Sequence, residues 1–262
     1  MTERVEHAGG DAPRGFRPDA LAVLAARART LAGAGPRVLI GIAGAPGAGK
    51  TSLAKAVVEV LNADGVAAGP GAPARGEASA SPPAMPLAAP PAAPLAAHLP
   101  MDGFHLANAT LDRLGLRDRK GAIETFDGHG FVALLERLRR ETGHVVYAPG
   151  FERDVDEPVA AELAIPPSTR IVVVEGNYLL AETDPWRRIR DERLVDEAWY
   201  VDTGDDERML RLVRRHTAFG RTPDAAEAWA RDVDGANARR IGPGRGRADL
   251  VVSGESGVVL AG

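Results

Sequence analysis

Residues 44–51, Gly-Ala-Pro-Gly-Ala-Gly-Lys-Thr, constrain the fold more than any other part of this 262-residue chain. They match the phosphate-binding loop pattern G-x-x-x-x-G-K-[ST] at every fixed position. An apolar run at 38–43 is typical of a buried strand, and residues 52–61 have the apolar spacing of a helix. Because a chance glycine-rich turn would lack this strand and helix, the stretch predicts a nucleotide-binding α/β fold.

The chemistry of such a loop predicts how a nucleotide is held. Backbone N–H groups close around the β-phosphate, and the positive end of the helix that begins at about Lys50 faces the same anion. Lys50 is expected to reach the β- and γ-phosphates, and the Thr51 hydroxyl to ligate magnesium, so the predicted cofactors are ATP and Mg²⁺. The predicted nucleotide-binding residues are Gly44, Ala45, Pro46, Gly47, Ala48, Gly49, Lys50, Thr51 and Ser52.

Composition excludes several other functions. The net charge of -4 gives no basic surface for nucleic acid, so the expected partner is a small molecule. The absence of cysteine excludes disulfides, thiolate metal sites and a cysteine nucleophile. Neither a signal-peptide core nor a membrane-length apolar run is visible. We therefore expect a cytoplasmic protein without membrane contact, and a homodimer stays open.

Two segments are expected to lie outside the packed core. Residues 1–16 are polar and contain glycine, which predicts a flexible tail before one domain at 17–262. The segment at about 63–97 holds eight of the twenty prolines and only three charged residues. This composition predicts a disordered insertion that packs no core, with a docking motif as the alternative.

Five apolar runs are predicted to form a parallel sheet, because helical connections separate them. They are 38–43, 98–101, 171–174, 199–202 and 249–252, with 257–260 as a candidate edge strand. Helices are predicted at 18–31, 131–140, from 205, and from 223 to about 232. The expected architecture is a three-layer α/β sandwich with a helical substrate and lid region.

Two acids follow predicted strands. Ligands of open α/β sheets lie beyond the carboxyl ends of the strands, so Asp102 and Glu175 should face the crevice of the glycine loop. Phosphoryl transfer needs a base that orients or deprotonates the acceptor hydroxyl and a metal held by a hydroxyl and a carboxylate. Both acids are therefore candidates to take part in such chemistry beside Thr51; the alternative is that either acid caps a turn.

Polar residues for an acceptor and for developing charge come from the remaining segments. The predicted substrate-binding residues are His105, Lys120, Tyr147, Arg153 and Asn177. On the helix from Asp205, the predicted inward residues are Met209, Leu212 and Val213, and the predicted outward residues are Arg208, Arg211, Arg214 and Arg215. Arg214 and Arg215 either supply cations for the charge that develops during phosphoryl transfer or form part of a solvated face. His105 and His129 are alternatively structural, and Asn237 either approaches the nucleotide or ends a turn.

The pattern favours one class of nucleotide-binding protein. A GTPase would need an Asn-Lys-x-Asp motif, which the chain lacks. The predicted function is an ATP-dependent kinase that transfers the γ-phosphate to a hydroxyl of a small metabolite of nucleoside, pantothenate or sugar type. A regulatory module that binds ATP without metabolite kinase activity is the alternative.

Motifs over about residues 37–252, without the insertion, support a family resemblance. They are Gly41 through Thr51, Asp102-Gly103-Phe104, Lys120-Gly121, Val174 through Asn177, and Arg211 to Arg221. The chain resembles the P-loop kinases grouped as phosphoribulokinase, uridine kinase and pantothenate kinase, and their nucleoside/nucleotide kinase family members. This resemblance implies a P-loop NTPase fold, Asp102 as base, Glu175 near the metal and lid arginines over the phosphates. Phe104-His105 stands where uridine kinases have a Phe-Tyr pair, so the acceptor stays open.

Overall fold

The computed structural model describes residues 15–33, 35, 37–66 and 94–262. Its helices are α1 (Pro18–Ala32), α2 (Lys50–Val66), α3 (Asn108–Leu114), α4 (Gly128–Arg140), α5 (Arg188–Asp191), α6 (Asp205–Ala218), α7 (Pro223–Trp229) and α8 (Gly235–Ile241). Its strands are β1 (Val38–Gly44), β2 (Ala96–Pro100), β3 (Val146–Glu152), β4 (Glu157–Ile165), β5 (Ile171–Glu175), β6 (Glu197–Asp202), β7 (Leu250–Ser253) and β8 (Val259–Ala261).

The central sheet has the strand order β2-β5-β1-β6-β7-β8. The first five strands pair in parallel, and β8 pairs antiparallel with β7 at one edge. This confirms the predicted five-stranded parallel sheet, to which the edge strand is added. Because β1 lies between β5 and β6, the loop that follows β1 emerges at the middle of the carboxyl edge.

Alternate residues of the central strands pack into two separate hydrophobic cores, one on each face of the sheet. On one face, residues such as Ile40 and Val173 pack with Leu24 of α1 and Leu53 of α2. On the other face, Val174 and its neighbours pack with the apolar side of α4. This distribution confirms the predicted three layers, since both faces of the sheet are covered by helices.

A hairpin that the sequence did not predict joins α4 to β5. Strands β3 and β4 pair antiparallel, with an irregularity between Ala148 and Gly150. The turn residue Asp156 and the strand residue Ala161 have positive φ angles of 53° and 57°. Strand β4 reads Glu-Pro-Val-Ala-Ala-Glu-Leu-Ala-Ile and is largely exposed, so it lacks the alternation that marks a strand.

The predicted insertion was too long at both ends. Helix α2 continues to Val66, and β2 already begins at Ala96, which is buried. The Asn62 side chain donates from Nδ2 to the Ala96 carbonyl at 3.0 Å and accepts from the Ala96 N–H at 2.9 Å. This exchange fixes the start of β2 against α2. Residues 67–93 lie outside the described residues, as do residues 1–14 of the predicted tail, whereas Phe16 packs against the α1 core.

The helices after β6 form the predicted lid region. Helix α6 begins with three acids in its first turn, as expected, and the Thr222 hydroxyl caps α7 by accepting from the Ala225 N–H. The expected helix to Asp232 was wrong: α7 ends at Trp229, and a π-helical turn leads into α8. Within the described ranges, no helix has the length and apolar character needed to cross a membrane.

Candidate active site

The glycine loop has the geometry that its motif predicts. It follows β1 directly, and α2 begins at Lys50. Gly47 and Gly49 have positive φ angles of 78° and 102°, which residues other than glycine rarely adopt. The loop therefore turns sharply enough for its N–H groups and the helix N-terminus to face one anion.

Lys50 lies inside this loop. Its side chain is 8% exposed, and Nζ donates to the Ala45 carbonyl at 3.0 Å. Burial lowers the pKa of Lys50 to about 8, although the carboxylates of Glu175 and Asp102 act in the opposite direction. A phosphate at the loop would replace the carbonyl as partner and favour the charged ammonium.

Thr51 and Glu175 meet at the carboxyl edge of the sheet. The Thr51 hydroxyl donates to Glu175 Oε1 at 3.0 Å, and Glu175 ends β5 with 4% of its surface exposed. A hydroxyl and a carboxylate are oxygen ligands of the kind that Mg²⁺ takes alongside nucleotide phosphates. In the described part of the chain no group of three or more His, Cys, Asp or Glu gathers for a protein-only metal site. Ser52 follows in the first turn of α2, half-buried.

Asp102 lies in a short helical turn, Met101–Phe104, directly after β2. A Cβ on Gly103 would come within 2.3 Å of the Pro149 carbonyl, so glycine lets β3 approach this turn. Asp102 Oδ2 lies 3.6 Å from Arg153 Nη2 of the hairpin. Burial alone would raise the pKa of Asp102, but His105, Arg153 and Lys50 outweigh it, so the pKa lies below its usual range.

His105 borders the same turn. Its Nδ1–H donates to the Asp102 carbonyl at 2.8 Å. Burial lowers the pKa of His105, against the attraction of Asp102. The ring packs on Phe126 and Phe151, with centroids 4.0 and 5.0 Å away. Next to Asp102 the structure thus has an aromatic wall that sequence reasoning did not identify.

The other predicted substrate residues are not all brought to Asp102. Lys120 Nζ donates to Asn108 Oδ1 at 2.7 Å and to Asp156 Oδ2 at 2.8 Å, so it joins α3 to the hairpin turn. Tyr147 is 57% exposed on β3 and has no polar contact among the hydrogen bonds of the described residues. Asn177 follows Glu175 and lines a small cavity with Tyr178 and residues of α8. His129 is exposed in the first turn of α4.

Two arginines of α6 were wrongly expected on the outer face. Arg208 is buried and donates from Nε to the Pro46 carbonyl at 3.0 Å. Arg211 donates from Nη1 to the carbonyls of Gly47 and Ala48 at 3.4 and 3.2 Å. Both lie one turn apart on the side that meets the glycine loop, where carbonyl acceptors compensate their burial. They hold the carbonyl side of the loop.

Arg214 and Arg215 are both exposed near the carboxyl end of α6. Arg215 is among the charges that lower the pKa of Lys50 and of Asp102, so its guanidinium influences both groups. Successive residues project about 100° apart around a helix, so the two side chains face different surfaces. The structure therefore associates Arg215 with the crevice.

Asn237 does not lie in a turn as one hypothesis expected. It is buried in α8 and donates from Nδ2 to the Gly121 carbonyl at 3.3 Å. The Tyr178 hydroxyl donates to the same carbonyl at 2.7 Å. The loop at Lys120-Gly121 is thus tied to the lid side, a link that no local pattern in the sequence reveals.

Several known proteins with similar sequences or structures are named as kinases. None of the protein-family models compared with the chain matches it. An "ATP-dependent kinase-like protein" of Aspergillus versicolor is 38% identical over 135 residues, 49% of this chain and 77% of that protein. A Schizosaccharomyces pombe protein with a provisional uridine kinase name is 30% identical over 199 residues, 74% of this chain and 73% of the relative.

A solved structure extends the similarity to nearly the whole fold. It is that of a Silicibacter sp. TM1040 protein provisionally named as a fructose transport system kinase, with a TM-score of 0.70 and 33% identity. The match covers 88% of this chain and 98% of that one. Together with the glycine loop between β1 and α2, these relatives confirm the resemblance: the chain belongs to the P-loop kinases of the uridine kinase family and is an ATP-dependent phosphotransferase.

Proposed function

We propose that the protein transfers the γ-phosphoryl group of ATP to a hydroxyl of a small metabolite, with Mg²⁺. The observation that carries this proposal is the position of Asp102, a carboxylate in the turn directly after β2 whose pKa is held below its usual range by His105, Arg153, Lys50 and Arg215. A module that only binds ATP needs no acceptor base at this point. The acceptor is of nucleoside, pantothenate or sugar type.

Asp102 supplies the base. Its lowered pKa keeps the carboxylate ionised at neutral pH, so it can accept a hydrogen bond from the acceptor hydroxyl. The acceptor oxygen forms a bond to the γ-phosphorus while the bond from phosphorus to the β,γ-bridging oxygen breaks. The hydroxyl proton passes to Asp102, and ADP leaves with the bridging oxygen.

Cations from two elements stabilise the charge of the transferred group. Lys50 at the start of α2 would contact the β- and γ-phosphates, and Arg215 of α6 would approach from the lid. Arg208 and Arg211 hold the loop carbonyls away from the nucleotide and so keep the N–H groups directed at it. Thr51 and Glu175 would hold Mg²⁺, which supplies positive charge to the β- and γ-phosphate oxygens.

The acceptor would lie against the hairpin side of Asp102. His105 presents an aromatic ring there, and Phe151 extends the apolar wall. Arg153 is half-exposed beside Asp102, so an entering hydroxyl would compete with it for the carboxylate. Such a site combines an apolar surface with few polar groups, as small-molecule sites commonly do.

An acceptor screen tests the proposal. Nucleosides, pantothenate, ribulose 5-phosphate and ketohexoses are offered with Mg-ATP, and ADP release is measured against a sample without acceptor. We expect at least one acceptor class to raise ADP release well above the background. ATP binding without acceptor-dependent release for any class would favour the regulatory module.

A further inference from the structure

A histidine on β2 lies beside the two residues proposed to hold magnesium. Strands β2 and β5 pair in parallel, with His98 opposite Val173 and Pro100 opposite Glu175. Residues that lie opposite each other on neighbouring strands have their side chains on the same face of the sheet, as do alternate residues of one strand. His98 and Glu175 therefore share the face that α2 covers, and the first turn of α2 carries Thr51.

The side chains of Thr51 and His98 approach the same carboxylate oxygen of Glu175. His98 Nε2 lies 3.5 Å from Glu175 Oε1, the same oxygen that accepts from the Thr51 hydroxyl at 3.0 Å. Glu175 is buried, and the side chain of His98 is 17% exposed. Within the described part of the chain, only the Thr51 hydroxyl makes a hydrogen bond to this oxygen, so the carboxylate is held from one side and the imidazole lies next to the other.

The imidazole nitrogen has no other partner. Among the buried side-chain nitrogen and oxygen atoms of the described residues, only His98 Nε2 and Thr169 Oγ1 lack a hydrogen bond. A buried polar atom without a partner is unfavourable, and native proteins rarely leave one in that state. A shift of a few tenths of an ångström would bring Nε2 to about 3 Å from Oε1, a normal hydrogen-bond length. The neutral imidazole with a proton on Nε2 is sufficient for this.

We propose that His98 is a positioning residue for the metal site: its Nε2–H donates to Glu175 Oε1 and holds the carboxylate in the orientation that magnesium binding needs. The inference rests on the proposed role of Thr51 and Glu175. Groups that orient metal ligands typically contribute about 10- to 100-fold to metal affinity or activity. The role predicts an effect on the magnesium-dependent part of nucleotide binding, and none on the rest.

Two substitutions separate this role from simple packing. His98→Leu fills similar space without a donor, whereas His98→Gln keeps an N–H donor at a similar distance from the backbone. The dissociation constant of ADP is measured calorimetrically for each protein, first with EDTA and then with saturating Mg²⁺. The dissociation constant in EDTA divided by that in Mg²⁺ reports the contribution of the metal to ADP binding without any turnover.

We expect the ratio to fall about tenfold in His98→Leu and to stay within about threefold of wild type in His98→Gln. The dissociation constant in EDTA should be unchanged in both. If His98→Leu does not fold, as judged by thermal melting, His98→Asn replaces it, because its shorter amide does not reach Oε1.

The outcomes distinguish this inference from the proposed function. A normal magnesium effect in wild type together with an unchanged ratio in His98→Leu would overturn the role of His98 alone. Equal losses in EDTA and in Mg²⁺ would do the same, since they indicate a packing role. A wild-type protein without any magnesium effect would overturn the assignment of Thr51 and Glu175, and this inference with it.

Discussion

Lys50 is a buried cation whose charge depends on what the glycine loop holds. Its pKa of about 8 lies below that of an exposed lysine because burial disfavours the ammonium. A phosphate next to Nζ favours the charged form and raises this pKa. Binding of ADP near pH 8 should therefore take up protons, and the uptake should vanish near pH 6, where Lys50 is already protonated.

Calorimetry of ADP binding in buffers of different ionisation enthalpy measures this uptake. The Lys50→Met variant serves as control and should show none at pH 8. Proton release on binding, or an uptake that the variant retains, would contradict the assigned position of the ammonium.

Arg214 and Arg215 provide a matched pair on one helix. Arg215 acts electrostatically on Lys50 and Asp102, so Arg215→Ala should lower kcat by about 10- to 100-fold through the lost stabilisation of transferred charge. Arg214→Ala removes another exposed guanidinium and should keep kcat within about twofold, because a charge that faces solvent contributes little. Steady-state kinetics with Mg-ATP compares the two variants. Equal losses of kcat would show that Arg215 does not face the crevice in preference to Arg214.

At the scale of elements, a single buried arginine ties three segments together. Arg37, just before β1, donates to the carbonyls of Thr169, Leu138, Glu141 and Pro166 at 3.0 to 3.3 Å. Arg37→Met would leave these acceptors without their donor, so the free energy of unfolding should fall by about 2–4 kcal/mol. Arg113→Met removes an exposed guanidinium and should change it by less than about 0.5 kcal/mol. Urea denaturation measures both, and a similar small change in both would refute the anchoring role.

The insertion permits a test at its ends. Replacing 67–93 by a Gly-Ser linker of about twelve residues should leave the melting temperature nearly unchanged, because loop length affects stability only weakly. Extending the replacement to 63–97 removes Ala96 and the start of β2, and should lower the melting temperature strongly. Thermal melting of both variants measures these two changes. A large loss in the shorter replacement would show that 67–93 contributes to folding or docking.

The success of the sequence predictions differed between elements for physical reasons. Strands β1 and β5 are buried on both faces, and their apolar runs made them recognisable. The hairpin of β3 and β4 was missed because exposure leaves no apolar alternation and because positive φ angles occur at Asp156 and Ala161. Arg208 and Arg211 were misplaced, since their burial depends on carbonyls of a loop about 160 residues earlier in the chain.

At the scale of the whole molecule, the candidate site joins three distant segments at one edge of the sheet. The glycine loop follows β1, Asp102 follows β2 and Glu175 ends β5, and these three strands are neighbours in the sheet. The rule for parallel sheets was sufficient to predict this convergence from the sequence. The aromatic wall next to Asp102 was not predictable from the sequence, because Phe126 and Phe151 reach His105 only through the hairpin and the long connection before it.

Asp102 is the residue proposed to act on the acceptor, and a single substitution tests this role. Asparagine keeps the size and much of the hydrogen bonding of Asp102 but cannot take a proton. Asp102→Asn should therefore lower the acceptor-dependent kcat at least about a hundredfold. The dissociation constant of Mg-ATP and the melting temperature should change little, and Asp154→Asn in the hairpin turn is the control.

The measurement is acceptor-dependent ADP release at saturating Mg-ATP for wild type and both variants. We expect near-complete loss in Asp102→Asn, normal rates in Asp154→Asn and similar ATP affinity in all three. An Asp102→Asn protein that keeps its acceptor-dependent kcat but melts at a clearly lower temperature would overturn the catalytic role and make Asp102 a structural cap.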